Sequence, residues 1–284
     1  MGARTIVVAI LSVMLCSCAN KEGADNLLSV TIEPYRYIVE SIAGDDWQVR
    51  TIVPKGSNPE VFDPTPRDII SLTGSKAYFM VGRLGFENVW KERVASLHPD
   101  MRIVDTSQGI SYCSGDPHVW TSPDNIHIIA QNVCNTLCSI DTASAGDYRR
   151  RLALFGDMIN RTDSIIRDRL SKGKERGFLI FHPSLTYFAR RYGLQQIAIE
   201  HEGKEPSVSH MCHVIDEAVA SGIEKVLIQA EFDCKNAQSV AHEIDAQVHI
   251  IDPLSYDIPA QMLHICNVLS KNSERRFYAK SKKR

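Results

Sequence analysis

Short runs of β-branched and apolar residues alternate along this chain with longer stretches in which apolar side chains recur every three or four positions. Leu28–Ile32 reads as a strand, Pro34–Ala43 as a helix that stops near Gly44, and Val49–Val53 as a second strand. Pro54–Pro59 is a loop, rich in residues that do not extend a helix or a ladder. Pro66–Thr73 predicts a helix whose first position is a proline, where the missing N–H has no intrahelical partner to lose. Ala77–Val81 and Arg102–Val104 continue the strands. Strands that alternate with helices in this way imply an α/β unit with a mainly parallel sheet.

From Ala143 to about Lys172 the pattern changes. Leu152, Phe155, Ile159, Ile165, Ile166 and Leu170 recur mainly at three- and four-residue spacings, charged residues fill the other faces, and no proline intervenes. This predicts one long helix of about 45 Å at 1.5 Å per residue. The alternation then restarts, with strands at Gly177–Phe181, Gln196–Ile199, Lys225–Ile228 and Val248–Ile251. The fold class is therefore α/β, with two Rossmann-like lobes of parallel sheet joined by one long rigid helix and a cleft between the lobes. The expected divisions are 28–142 for the first lobe, 143–173 for the linking helix and 174–271 for the second lobe.

Composition fits that plan. The chain has 284 residues, 44% hydrophobic and 23% charged, which suits a folded protein of two modest domains. Its formal net charge of −2 argues against nucleic-acid binding, and the basic run at 272–284 is read as a solvated tail.

The beginning of the chain adds a location. Arg4 precedes an apolar run, Ile6–Leu15, of about half the length a membrane span requires, which reads as a signal peptide. Leu15-Cys16-Ser17-Cys18 follows and looks like a bacterial lipobox. Cys18 suits lipidation better than Cys16, because the residues before Cys16, Met14 and Leu15, are bulky. Residues 1–18 are then signal and anchor, 19–27 a tether, and the mature protein lies in the cell envelope, facing the periplasm or exterior and tied to a membrane by acyl chains. Six cysteines remain: Cys113, Cys134, Cys138, Cys212, Cys234 and Cys266. No pair has zinc-ribbon spacing. Cys134 and Cys138 lie one helical turn apart in an apolar stretch and read as buried thiols, with a disulfide or a thiolate metal site as the other readings.

Candidate chemistry gathers where strands end. Glu60 lies in the loop after the second strand, His118 in Asp116-Pro117-His118-Val119-Trp120 before a helix, His182 directly after Phe178–Phe181, and Asp252 directly after Val248–Ile251. Ligands of open α/β sheets bind outside the carboxyl ends of strands. Two of these residues come from each lobe, so all four could converge in the cleft. Two imidazoles and two carboxylates make a four-point cage for a borderline divalent cation, and its charge balances a dication. Taken singly, each is as compatible with a hydrogen-bonded loop residue. Trp120, Tyr187, Glu231 and His201 are further cleft or supporting candidates, His201 also as an alternate ligand.

From Val30 to about Leu269 the chain resembles the zinc- and manganese-binding solute-binding proteins of ABC importers, the cluster A-I, zinc-type periplasmic family. The resemblance rests on the order of several motifs: Ile42-Ala43-Gly44-Asp45, Pro64-Thr65-Pro66, Asp116-Pro117-His118-Val119-Trp120, His182 with Tyr187-Phe188-Ala189 and Tyr192-Gly193-Leu194, Glu205-Pro206-Ser207, and Asp252-Pro253-Leu254. It implies two α/β lobes on one long helix. It also implies metal ligation by Glu60, His118, His182 and Asp252, a permease partner, a monomeric state, and no catalysis. Two departures bear on the metal. The family usually has His where Glu60 stands, and the loop Ser111-Tyr112-Cys113-Ser114-Gly115 carries none of the histidines common in zinc members. More oxygen favours manganese, while raw affinity rises from manganese to zinc by the Irving–Williams order, so Zn2+ is the expected ion and Mn2+ the alternative. A metal-dependent envelope hydrolase is a different reading. It would need an open coordination position and a base such as Glu231.

Overall fold

A computed structural model of the chain describes residues 26–174, 176–200, 206–232 and 235–270. Cys18, His201 and the basic tail lie outside the described residues. The first lobe holds β1 (Leu27–Val30), α1 (Glu33–Ala43), β2 (Gln48–Thr51), α2 (Pro66–Ser71), β3 (Ser75–Met80), α3 (Gly85–Leu97) and β4 (Arg102–Asp105). After a 3-10 turn at Val119–Thr121 come α4 (Pro123–Ile140) and α5 (Ala145–Lys172). The second lobe has β5 (Gly177–Ile180), α6 (Thr186–Tyr192), β6 (Gln195–Ala198), α7 (Val208–Ala220), β7 (Lys225–Gln229), α8 (Lys235–Glu243), β8 (Gln247–Ile251) and α9 (Ile258–Ser270). The eight described strands and helices α1, α2 and α5 fall within two residues of the ranges the periodicity predicts, which is the usual play in element ends; for the other helices the pattern gives a place between strands without fixing their ends.

Each lobe carries a parallel four-stranded sheet, in the order β2-β1-β3-β4 and β6-β5-β7-β8. The order reverses between β1 and β3 in one lobe and between β5 and β7 in the other, so each lobe has a switch point at the carboxyl ends of its central strands. The central strands are buried on both faces: every residue of β5 and β7 is buried.

One large apolar cluster spans both lobes. It runs from Leu28, Val30 and Phe79 of the first sheet through Ile38, Ile129, Phe155 and Ile166 to Phe178, Ile180 and Leu227 of the second. Two smaller clusters lie apart from it. Ile69, Leu72 and Val94 belong to one in the first lobe, and Val214, Ala218 and Val240 to one in the second. The lobes therefore share a core, and their junction is a packed interior.

Helix α5 explains much of that sharing. Tyr148, Phe155, Ile159, Ile166 and Leu170 form its buried stripe, and it packs against α1, α4 and α9 along a length of about 42 Å. Asp163, on the same helix, is also buried. It accepts from Arg191 Nη2 at 2.8 Å, Arg167 Nη2 at 2.6 Å and the Tyr192 hydroxyl at 3.0 Å, which ties α5 to α6. Burial pushes the Asp163 carboxyl up, but the bonds from Arg191, Arg167 and Tyr192 outweigh it and hold it below its ordinary value. A depressed carboxylate contributes stability above its unfolded value, about pH 3.9, and loses it as pH falls through the folded value. Asp163→Asn is expected to cost about 1–3 kcal/mol at neutral pH and to flatten the acid limb of the melting-temperature profile. Thermal denaturation from pH 7 down to pH 3 checks both.

Candidate metal centre

Four loops at the carboxyl ends of strands carry the predicted residues. Glu60 sits in the loop between β2 and α2. Its N–H donates to Asn58 Oδ1 at 2.9 Å, a local turn that aims the residue inward. Downstream, Phe62 packs edge-on against Phe86, with ring centres 5.3 Å apart. Thr65 and Asp68 then close a reciprocal capping box on α2, with Pro66 in its first turn. Glu60 is thus held between a side-chain turn and an anchored helix start.

His118 begins the 3-10 turn, and its carbonyl accepts from the Thr121 hydroxyl at 2.9 Å. Val119 and Trp120 follow and are fully packed, which fixes the turn. The His118 Nδ1–H donates to Asp116 Oδ1 at 2.7 Å, and the same oxygen accepts the His118 backbone N–H at 2.8 Å. Burial raises the Asp116 carboxyl, yet the bonds from His118 bring it below its ordinary value, so it stays an ionised acceptor.

His182 stands two residues beyond β5. Register places it between two neighbours: Ile180 pairs with Ala198 of β6 and with Leu227 of β7, so two residues further on His182 meets Glu200 on one side and Gln229 on the other. The His182 Nδ1–H donates to Glu200 Oε2 at 2.9 Å. Gln229 accepts the His182 N–H and donates to the His182 carbonyl, which locks the backbone. Phe232 stacks on the imidazole, centres 5.2 Å apart and planes 20° apart.

These constraints turn both Nε2 atoms toward Glu60. His182 Nε2 lies 3.2 Å from Glu60 Oε2, His118 Nε2 lies 4.0 Å from Glu60 Oε1, and the imidazole centres are 5.0 Å apart. One ligand atom from each of the three lies within 4.8 Å of the others. His118 and His182 are both buried, and His182 Nε2 has no hydrogen-bond partner among the described residues despite its approach to Glu60. A buried ring nitrogen without a partner costs free energy that a ligand would recover. With each Nδ1–H given to a carboxylate, Nε2 presents its lone pair, the arrangement that serves metal-binding histidines.

Asp252 is not part of this tight group. It follows β8, the edge strand, two positions across the sheet from β5 and so about 10 Å to the side of His182. It lines a cavity of about 140 Å3 with Glu231, Lys55 and Leu254. Burial raises Asp252 above its ordinary value, against the Leu254 N–H and the Lys55 ammonium, which lower it. Burial also raises Glu231, with the Asp252 charge adding to the effect and His118 opposing it. Two neighbouring carboxylates held up by burial make a wall that a dication would relieve.

Two cross-lobe bonds flank the centre. Trp120 Nε1–H donates to the Pro253 carbonyl at 2.8 Å, and its ring lies 5.2 Å from His118. The Tyr187 hydroxyl donates to the Asp116 carbonyl at 2.8 Å and accepts the Cys113 N–H at 3.1 Å. Burial pushes that hydroxyl up to about 12, so it remains a donor. The sequence reading missed Asp116 and Glu200 as the groups that orient the two histidines. Glu200 is the neighbour of His201 and becomes visible only once the β5–β6 register is known. Asp116→Asn and Glu200→Gln are each expected to weaken metal affinity about 10–100-fold, with little change in melting temperature of the metal-free protein. A chelator-competition titration checks the affinities.

Two α/β lobes astride one long helix, with imidazole and carboxylate donors gathered at their junction, define the class: a two-lobed metal-binding protein. The chain belongs to the family described as zinc-uptake complex component A, periplasmic, whose profile matches residues 29–271. A ZnuA deletion mutant crystallised with zinc bound shares the fold, with a TM-score of 0.81 at 32% identity over 87% of this chain and 99% of the other. A putative metal-binding protein of Chlamydia muridarum is 24% identical over 85% of this chain and 89% of its own length. The iron-binding protein YfeA of Yersinia pestis is 28% identical over 77% of this chain and 75% of its own.

Proposed function

We propose that this chain captures one divalent transition-metal ion outside the cytoplasm, zinc in preference to manganese, and hands it to the permease of an ABC importer. Glu60, His118 and His182 hold the ion, and Asp252 reaches across from the end of β8 as the fourth donor. The observation that carries this reading is the convergence of two carboxylate-oriented imidazoles on Glu60 across the lobe junction. The ion is cargo, and the protein makes and breaks no bond of a substrate.

The remaining parts of the reading follow from the sequence. Residues 1–18 form a signal peptide that ends at the anchor, Cys18 carries acyl chains, and a short tether leaves a monomer free beside its permease. No helix among the described residues is long and apolar enough to cross a membrane. Protons compete with the ion for imidazole and carboxylate, and binding weakens as pH falls.

Competition titration of the purified mature protein tests the reading. The expected result is one equivalent of zinc retained against excess manganese. Stoichiometric manganese with weak zinc discrimination would make this a manganese carrier, and no stoichiometric metal would remove the function altogether. Glu60→His replaces a hard oxygen with an imidazole and is expected to widen the zinc-over-manganese preference by about tenfold or more.

A further inference from the structure

A pair of cysteines lies outside the cleft and takes no part in it. Cys134 and Cys138 lie one turn apart on α4, and their sulfurs are 3.9 Å apart. Two thiolates on one tetrahedral zinc, each bonded at about 2.3 Å, stand about 3.8 Å apart. The pair therefore already has the spacing of two ligands on one ion. Neither thiol is in a disulfide, which would require the sulfurs to close to about 2.05 Å; the Cys138 thiol donates weakly to the Ala145 carbonyl at 3.7 Å, which leaves the Cys134 thiol to donate to the Cys138 sulfur.

The surroundings fit a ligand. Both cysteines line an open cavity of about 480 Å3 together with Gln131, Ser139 and Arg149. Cys134 lies eleven residues along α4 from Pro123, about 17 Å, so this cavity is separate from the centre that follows β4 and β5. Burial raises the Cys134 thiol to about 11, the neighbouring Cys138 adds to this, and Arg149 acts the other way. Two adjacent thiols cannot both ionise without a countercharge, and a bound cation supplies one.

We propose that Cys134 and Cys138 form a second site, for a thiophilic divalent cation of the zinc or cadmium class, on the α4–α5 face. Each thiol releases its proton to solvent, and each sulfur uses the freed electron pair to bond the ion. Water and neighbouring oxygens complete the shell. Soft sulfur ligands exclude manganese from this site. Because two protons leave, its affinity falls steeply with acid.

The test uses the reduced mature protein carrying His118→Ala and His182→Ala, so that the cleft is silent. Cadmium is expected to raise the ultraviolet sulfur-to-cadmium charge-transfer band to a plateau at one equivalent and to protect two thiols from a disulfide reagent. Manganese should do neither. Adding Cys138→Ser is expected to abolish the band; Cys138 is only half-buried, and circular dichroism is the check that this variant folds. Absence of the band in the parent, its survival in the Cys138→Ser protein, or a Cys134–Cys138 disulfide in the purified protein would each overturn the proposal. None of these outcomes depends on whether the cleft binds zinc.

Discussion

Replacing His118 and His182 together with alanine is expected to abolish stoichiometric binding of metal at the cleft. Each imidazole presents one lone pair, and each is buried and already turned inward by a carboxylate on its Nδ1. Among the described residues, the tight group of donors is Glu60, His118 and His182 alone, so the double variant leaves one of its three members. Loss of an orienting partner alone costs about 10–100-fold, so loss of two direct ligands should exceed that by orders of magnitude. Alanine leaves Asp116 Oδ1 and Glu200 Oε2 without their imidazole donors, so the metal-free variant should melt lower, but it should fold because the apolar core is untouched. Isothermal titration with zinc, beside circular dichroism of the apo form, reads both outcomes. Unchanged affinity would sink the ligand assignment.

Replacing Trp120 should affect stability and binding together. Its side chain is 1% exposed and sits in the shared core, edge-on to Tyr35 at 6.2 Å and against His118. Its indole N–H reaches the Pro253 carbonyl in the other lobe, beside Asp252. Trp120→Ala leaves a large cavity at the lobe junction and is expected to destabilise the protein by about 3–5 kcal/mol. It should also loosen His118 and free the Asp252 loop, weakening zinc binding. Trp120→Phe retains most of the packing but not the cross-lobe bond, and should cost less stability while still weakening the metal. Denaturant titration and zinc titration of the two variants separate packing from the hydrogen bond. Equal stability of wild type and Trp120→Ala would remove Trp120 from the account.

The element pattern was legible because strand and helix periods differ sharply in this chain. Strands such as Phe178–Ile180 and Val226–Ile228 are continuous apolar runs, as expected where helices cover both faces of a parallel sheet. The stripe on α5 was equally plain from Phe155, Ile159, Ile166 and Leu170. Strand-end placement named Glu60, His118, His182 and Asp252 alike, and the family resemblance set them above ordinary loop residues; the first three come together in the structure.

Pairings across strands were not legible. Glu200 meets His182 because Ile180 pairs with Ala198, and Gln229 meets it because Ile180 pairs with Leu227. Neither register can be read from one strand alone. The lateral offset of Asp252 has the same origin, since strand order, and not strand sequence, puts β8 at the sheet edge. The facing sulfurs of Cys134 and Cys138 were half visible. Their spacing gave one helical turn, but the cavity beside them depends on how α5 packs against α4.

The central claim is that one ion lies between the lobes on His118, His182 and Glu60. Diffraction at the zinc absorption edge from crystals of the zinc-loaded mature protein tests this most directly. The account predicts a strong anomalous peak within bonding distance of both Nε2 atoms and a Glu60 oxygen, with an Asp252 oxygen completing the tetrahedron. A zinc-loaded crystal with no peak there, and both imidazoles still without a ligand, would contradict it.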